Sequence, residues 1–171
     1  MEASELRALQ APLKKQYRES PSEAEWTLHA EGMLGENITC EVATDAGKVQ
    51  AGLHPATGGD GSKVCSGDML LEALTACAGV TLNSVATAMR IEIKRGKVKA
   101  EGDLDFRGTL AVSKEAPVGF KEIRLIFELE TDTDKKKLDK LIELTERYCV
   151  VFQTLKKNPQ THTSVRVGLV Q

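Results

Sequence analysis

Thiols are the residues of this chain best equipped for chemistry. Cys40, Cys65, Cys77 and Cys149 stand far apart and form no CxxC pair, so neither a disulfide scaffold nor a zinc ribbon is written into the chain and free thiols are expected. Cys77 has the most informative neighbours. Ala73, Ala76, Ala78 and Gly79 carry almost no side chain, and positions 73, 76, 77 and 80 fall on one face of a helix. A face that small admits another backbone or leaves room for a ligand beside the sulfur; the bland alternative is a cysteine packed as a small hydrophobe. A reactive thiol must be favoured as thiolate, yet Cys77 is mid-helix, beyond the first turn where the dipole helps, and burial opposes its ionisation. A cation or donor from another segment is therefore required, and Lys48, His54 and Arg18 are candidates that no motif places. Cys149, after Arg147 and Tyr148, is the last inward residue of a helix and could meet the helix of Cys77, where a second thiol would convert a sulfenic acid into a disulfide. Packing is the alternative fate for it. Cys65 lies about 120° from Cys77 on a helical wheel, so direct pairing is not implied. Cys40 alternates with Thr39 and Glu41 in a strand pattern and reads as core filler.

Other chemistries find little support. His29, His54 and His162 are isolated, without the HxxxH or HExxH spacing that holds a metal, and no GxSxG elbow selects a hydrolase triad. Gly58-Gly59-Asp60-Gly61 lacks the GK[ST] of a phosphate loop and reads as a turn. Charges nearly balance, with 23 basic and 25 acidic residues, and the Lys135-Lys136-Lys137 run reads as a solvated face, so no nucleic-acid footprint is expected. The apolar windows look shorter than a bilayer span and Met1 to Glu5 lacks the regions of a secretory signal, so no membrane association and a cytoplasmic location are expected.

The elements that must position the thiols are legible in outline. The 171 residues suit one domain, with residues 1–20 as an N-terminal helical extension carrying Leu6, Leu9, Leu13 and Tyr17 at helical spacing and Pro12 as a kink or break. From Trp26 to Leu53, short alternating runs bounded by Gly, Asp and Asn predict a meander of three strands over 26–32, 37–44 and 47–53. His54 to Asp68 is turn-rich and delivers the chain to a helix capped by Ser66 or Asp68. That helix runs to Met89 with only a narrow polar stripe of Glu72, Thr75, Gly79 and Asn83, so it is expected to be central and almost wholly buried. Two or three strands between Ile91 and Glu130 follow, then a helix capped by Asp132 to Asp134 with Leu138, Leu141, Ile142, Thr145 and Tyr148 inward, a short helix through 151–157, and a last strand over 163–170. The fold class is α+β.

The element LLEALTACAGVTL around Cys77, followed about seventy residues later by ERYCVVFQTLKKNP around Cys149, resembles the OsmC/Ohr family of thiol-dependent hydroperoxide reductases, over element order from about Trp26 to Val170. The resemblance implies an intertwined homodimer with antiparallel sheets wrapped around a long buried central helix. It implies Cys77 as the peroxidatic and Cys149 as the resolving cysteine, no cofactor and no metal, a small-molecule hydroperoxide as substrate and a dithiol such as dihydrolipoamide as reductant. The chain departs from the family pattern in three places. Gly67 stands where a glutamate is usual, leaving Asp68 and Glu72 as the nearest acids; no arginine occurs from Glu31 to Leu53; and Val150 replaces the proline after the resolving cysteine. These departures favour, as the alternative, a small-molecule-binding or stress-response protein on the same scaffold with little peroxidase turnover.

Overall fold

The computed structural model describes residues 1–168. In chain order the elements are α1 (Ala3–Glu19), a 3-10 turn (Pro21–Ala24), β1 (Gly32–Leu34), β2 (Cys40–Thr44), β3 (Gly47–Gly52), a second 3-10 turn (Pro55–Thr57), β4 (Val64–Cys65), α2 (Ser66–Met89), β5 (Arg95–Asp103), α3 (Phe106–Thr109), β6 (Glu122–Glu130), α4 (Lys135–Tyr148) and α5 (Val150–Lys157).

One sheet has the order β1-β2-β3-β4 and the other is the β5-β6 pair, an α+β arrangement. The β1-β2, β2-β3 and β5-β6 pairs are antiparallel, the last running in register from Arg95 opposite Glu130 to Asp103 opposite Glu122. The antiparallel sheets expected are present, with one parallel addition in β4, a two-residue strand that pairs with β3 through Ala51 with Val64 and Gly52 with Cys65. The turn-rich loop after β3 folds back far enough to bring the chain alongside the strand it left. The first strand is shorter and later than its alternation suggests: the Glu31 carbonyl still accepts from the Ala43 N–H of β2 at 3.3 Å, whereas Trp26 and Leu28 before it are 79% and 89% exposed. Residues 163–168 of the expected last strand lie outside any helix or strand, and 169–170 lie outside the described residues.

α2 presents Leu74, Ala78, Leu82 and Ala86 to the interior, a stripe of every fourth residue that packs against β5, α4 and α5. It was expected to be buried almost all round; instead Ala73, Ala76, Val80 and Asn83 on the opposite side are exposed, with Val80 at 72%. β5, α4 and α5 cover the inward side of the helix, and α1 also packs against it, without burying these residues. By length and composition α2 is also apolar enough to cross a membrane, which corrects the reading that no window approaches that length; its inward stripe is the core of the fold. Two clusters share the interior and meet at Phe127: Leu82, Ala86, Ile91 and Leu141 at one end, and Leu74, Ala78 and Cys149 at the other.

Local signals are honoured unevenly. Asp134 caps α4 as predicted, its carboxylate accepting from the Lys137 N–H at 2.9 Å, which satisfies an orphan donor of the first turn. Neither Ser66 nor Asp68 caps α2: its N-cap is Cys65, which makes no side-chain cap bond. α1 is one helix despite Pro12; proline removes one internal donor, a loss a helix tolerates more easily when neighbouring groups remain in water. In β5, Gly102 lies directly under the Phe120 ring, and a methyl group there would overlap it. Gly102→Ala is therefore expected to destabilise the fold by about 1–3 kcal/mol through displacement of that ring, readable as a lower denaturant midpoint with an unchanged slope.

Candidate functional site

All four cysteines are free, and Cys149 is fully buried while Cys77 is partly so. Cys77 belongs to the same cluster as Cys149, with Val98, Ala100, Val151 and Phe152 around them. Helical period brings this about. Cys77 lies next to the inward stripe of α2, between Leu74 and Ala78 on its buried flank and Ala73, Ala76 and Val80 on its open one. Cys149 follows the α4 stripe of Leu141 and Thr145 and ends it. Thr145 can be buried because its hydroxyl donates to the Leu141 carbonyl at 2.8 Å.

Cys149 is also a junction. It is the C-cap of α4, donating its N–H to the Thr145 carbonyl at 2.9 Å, and the N-cap of α5, whose first turn begins with its carbonyl accepting from the Gln153 N–H at 2.9 Å. The chain therefore starts a new helix beside the sulfur of Cys77. The first N–H groups of a helix have no internal partner, and those of Val151 and Val150 favour the anionic form of Cys77.

The acidities of the two thiols diverge. Burial pushes the Cys77 thiol up, but hydrogen bonds from the Val151 and Val150 N–H groups, the Cys149 thiol and the Thr81 hydroxyl hold it below the ordinary thiol value. Cys149 is raised: burial is the chief cause, and the hydrogen bond and charge of Cys77 add to it, against opposing N–H groups of Phe152 and Val151. At any pH Cys77 is therefore the more readily ionised of the two and Cys149 the more firmly protonated, which gives the pair a polarity.

None of the five charged candidates is among the groups that set the acidity of Cys77. Lys48 is committed across the β2-β3 hairpin to Glu41, at 2.6 Å. The His54 Nδ1 accepts from the Ala56 N–H at 3.0 Å, and its ring stacks on Phe106 with centroids 4.9 Å apart. Arg18 lies in the last turn of α1. Asp68 and Glu72 line a shallow groove with Thr75 and Ala76, next to Cys77 in sequence but without a part in its hydrogen bonding. The donors that do reach the sulfur, Thr81 and the start of α5, escaped the sequence reading. The available signal was position: Thr81 is one turn beyond Cys77 on α2, and the short helix after Cys149 begins beside it. Cys65, as the N-cap of α2, and Cys40, whose Sγ faces Gly32 across the β1-β2 pair, lie apart from this pair.

Thr81→Val keeps the shape and removes one donor. Alkylation of Cys77 by iodoacetamide at pH 7 is expected to slow about fivefold, the worth of one hydrogen bond to a neutral hydroxyl, with the rate recovering as pH rises through the thiol range. An unchanged rate profile would show that Thr81 does not bear on the thiolate.

Comparison with known proteins places this arrangement. Residues 59–164 match the family described as OsmC-like protein. Among solved structures the chain is similar to an OsmC like protein from Mycoplasma pneumoniae, with a TM-score of 0.66 and 19% identity over 78% of this chain and 89% of that one. It is similar to an organic hydroperoxide resistance protein OsmC from Legionella pneumophila, with a TM-score of 0.60 and 20% identity over 78% and 91% of the two chains. The organic hydroperoxide resistance protein OhrB of Bacillus subtilis aligns with a TM-score of 0.52 and 19% identity over 78% and 93%. At such identities the likeness speaks for the fold. No curated protein matches the chain.

Proposed function

The chain belongs to the OsmC-like proteins, and from that premise we propose that it is a thiol-dependent peroxidase that reduces organic hydroperoxides through Cys77 and Cys149. The observation that carries this reading is that the free thiols of Cys77 and Cys149 share one core cluster, with the acidity of Cys77 shifted toward the thiolate and that of Cys149 away from it. The Cys77 thiolate attacks the distal peroxide oxygen; the S–O bond forms as the O–O bond breaks, and the alkoxide takes a proton and leaves as alcohol. Cys149 then attacks the sulfenic sulfur, the S–S bond forms and water leaves. A dithiol such as dihydrolipoamide supplies two electrons and two protons and restores both thiols.

In this reading the donors around Cys77 take the place of a guanidinium. Neutral donors stabilise a thiolate less than a cation does, so turnover is expected to be slow relative to a site with a charged donor, where a single missing preorganised contact changes rate by about 10²- to 10³-fold. The exposed small-residue stripe of α2, Ala73, Ala76 and Val80, supports a homodimer in which the helices of two subunits pack back to back. So do the uncovered Trp26, Leu28, Leu34, Val165 and Val167, each at least 79% exposed. Sedimentation equilibrium is expected to give twice the 18.6 kDa chain mass. Free thiols suit a reducing cytoplasm.

The test is titration of the reduced protein with tert-butyl or cumene hydroperoxide, followed by intact mass and peptide mapping. A Cys77 to Cys149 disulfide formed within seconds at stoichiometric peroxide is expected. Thiols that persist unless the protein is unfolded would instead favour a small-molecule-binding protein on this scaffold, the reading that the missing arginine between Glu31 and Leu53 also supports.

A further inference from the structure

At the start of α2 a small cavity of about 160 Å³ is lined by His54, Cys65, Gly67, Asp68, Phe106 and Phe120, among others. Cys65 is a free, half-buried thiol. The parallel pairing of β4 with β3, which sets Cys65 beside Gly52, carries it to this place. It is the N-cap of α2 but spends its side chain on no cap hydrogen bond. Its sulfur lies beside Gly67 instead: a Cβ at position 67 would stand 3.6 Å from the Sγ and 3.5 Å from the Phe120 Cζ. The side chain missing at 67 is therefore room next to the sulfur. Neither Cys77 nor Cys149 lines this cavity, nor does any exposed apolar residue assigned above to a dimer contact. Cys65 and Cys77 are twelve positions apart, about 18 Å along the helix axis at 1.5 Å per residue.

The walls restrict what this thiol can meet. A cavity of about 150 Å³ holds a molecule the size of benzene, so an occupant here has about six heavy atoms or fewer by the same measure. The rings of Phe106 and Phe120 favour a flat one. The Asp68 carboxylate lines the space and, among the described residues, no cationic side chain does, which disfavours an anion. His54 supplies a polar contact. Its Nδ1 accepts from the Ala56 N–H at 3.0 Å, which in the neutral ring leaves the proton on Nε2. The ring is braced by stacking on Phe106, with centroids 4.9 Å apart. A thiol, a fixed N–H donor and flat apolar walls are together complementary to a carbonyl group conjugated with a carbon–carbon double bond.

We propose that Cys65 is a second reactive thiol of this chain, housed to add to small, flat, neutral enals and enones, with His54 donating to their carbonyl oxygen. The sulfur forms a bond to the β-carbon, the double bond is consumed and the thiol proton ends on the α-carbon, so the step needs neither oxidant nor reductant. The product is a thioether that fills the cavity. The proposal does not depend on the peroxidase reading, because neither Cys77 nor Cys149 takes part.

The experiment exposes the reduced full chain to methyl vinyl ketone at pH 7 and maps the adducts by peptide mass. Each Cys65 rate is taken relative to that of Cys40, also half-buried, in the same sample, which cancels the intrinsic reactivity of the reagent. Cys65 is expected to react about tenfold faster than Cys40, a small part of what fixed orientation can supply, and its rate to saturate as the ketone is raised. N-phenylmaleimide, too large for the cavity, and acrylate, an anion, are expected to show no preference. Iodoethane fits but offers no carbonyl, and its preference is expected to be about fivefold weaker than the ketone's, the worth of one hydrogen bond. His54→Phe keeps a stacked ring and removes the donor, and is expected to lower the ketone's preference to that of iodoethane. Gly67→Leu fills the space beside the sulfur and is expected to abolish the preference; if that variant does not fold, the reagent series on the parent chain decides alone. A Cys65 rate linear in ketone and no greater than that of Cys40, an equal preference with N-phenylmaleimide, or a preference that survives Gly67→Leu would overturn the proposal. Iodoethane preferring Cys65 as strongly as the ketone would overturn the carbonyl assignment, acrylate preferring it more strongly would overturn the neutral class, and an unchanged His54→Phe would overturn the role of His54.

Discussion

A Cys77→Ser chain is expected to consume no hydroperoxide above the uncatalysed rate, a loss of about 10³-fold or more, while a Cys149→Ser chain consumes one equivalent and stops. The difference follows from the polarity of the pair. Cys77 is the sulfur whose neighbours favour the anion: two main-chain N–H groups at the start of α5, one hydroxyl and one thiol. A serine hydroxyl in that place stays protonated at neutral pH and offers no comparable nucleophile. Cys149 is held as a thiol by burial and by the charge it faces, so its removal leaves the first step intact and blocks the second. The trapped product is a sulfenic acid at Cys77, detectable by dimedone adduction and a mass gain of one oxygen. Because the pKa of Cys77 is lowered, the rate of the first step rises with pH and levels off at lower pH than it would for an ordinary thiol. If Cys149→Ser turned over repeatedly, or if peroxide modified Cys149 in preference to Cys77, the assignment of roles would be reversed.

Leu141→Ala is expected to cost about 3 kcal/mol and to lower the melting temperature by about 6–12 °C, on scales of 2–5 kcal/mol for emptying a buried leucine site and 2–4 °C per kcal/mol at this chain length. Leu141 is fully buried and belongs to the cluster with Leu82, Ala86 and Ile91 that fixes α4 on α2. α2 offers small side chains across part of that contact, so little nearby can swing in to fill the space. The effect on chemistry should be secondary: Cys149 is two turns further along α4, and the folded fraction is expected to keep its thiol reactivity. Differential scanning calorimetry beside a thiol alkylation rate reads both quantities on one preparation. A shift under 1 °C would mean that α4 is held elsewhere.

The long periodic segments were the legible part of the chain. The inward stripe of α4 from Leu138 to Thr145 and its Asp134 cap, the strand from Glu122 to Glu130, and the long apolar helix carrying Cys77 could be read because burial repeats with a period that the residue types obey, although Tyr148, also expected inward, is 57% exposed. What misled was anything whose neighbour lies far along the chain or outside it. Residues 26–30 alternate like a strand but belong to none, with Trp26 and Leu28 exposed, and α2 is apolar over most of its circumference although Ala73, Ala76 and Val80 stay open in this chain. β4 was missed because two residues carry no periodicity. At the site, position 149 could be placed near position 77 by helical phase, while the donors that tune the sulfur were not marked by residue type. Two are main-chain N–H groups, silent in a sequence, and the third is a threonine among many.

The dual capping role of Cys149 reaches beyond its proposed chemistry. A bond from this residue to α2 would cinch a loop of about seventy residues and clamp three helices at a single point, and closing a loop of that length removes about 4 kcal/mol of disorder from the unfolded chain. The cross-linked form should therefore survive heat and proteases that melt the dithiol form. By the same thermodynamic cycle, whatever the link adds to the endurance of the fold is returned as reluctance of the link to be broken, so an intact molecule demands a more strongly reducing partner than its own unfolded chain would.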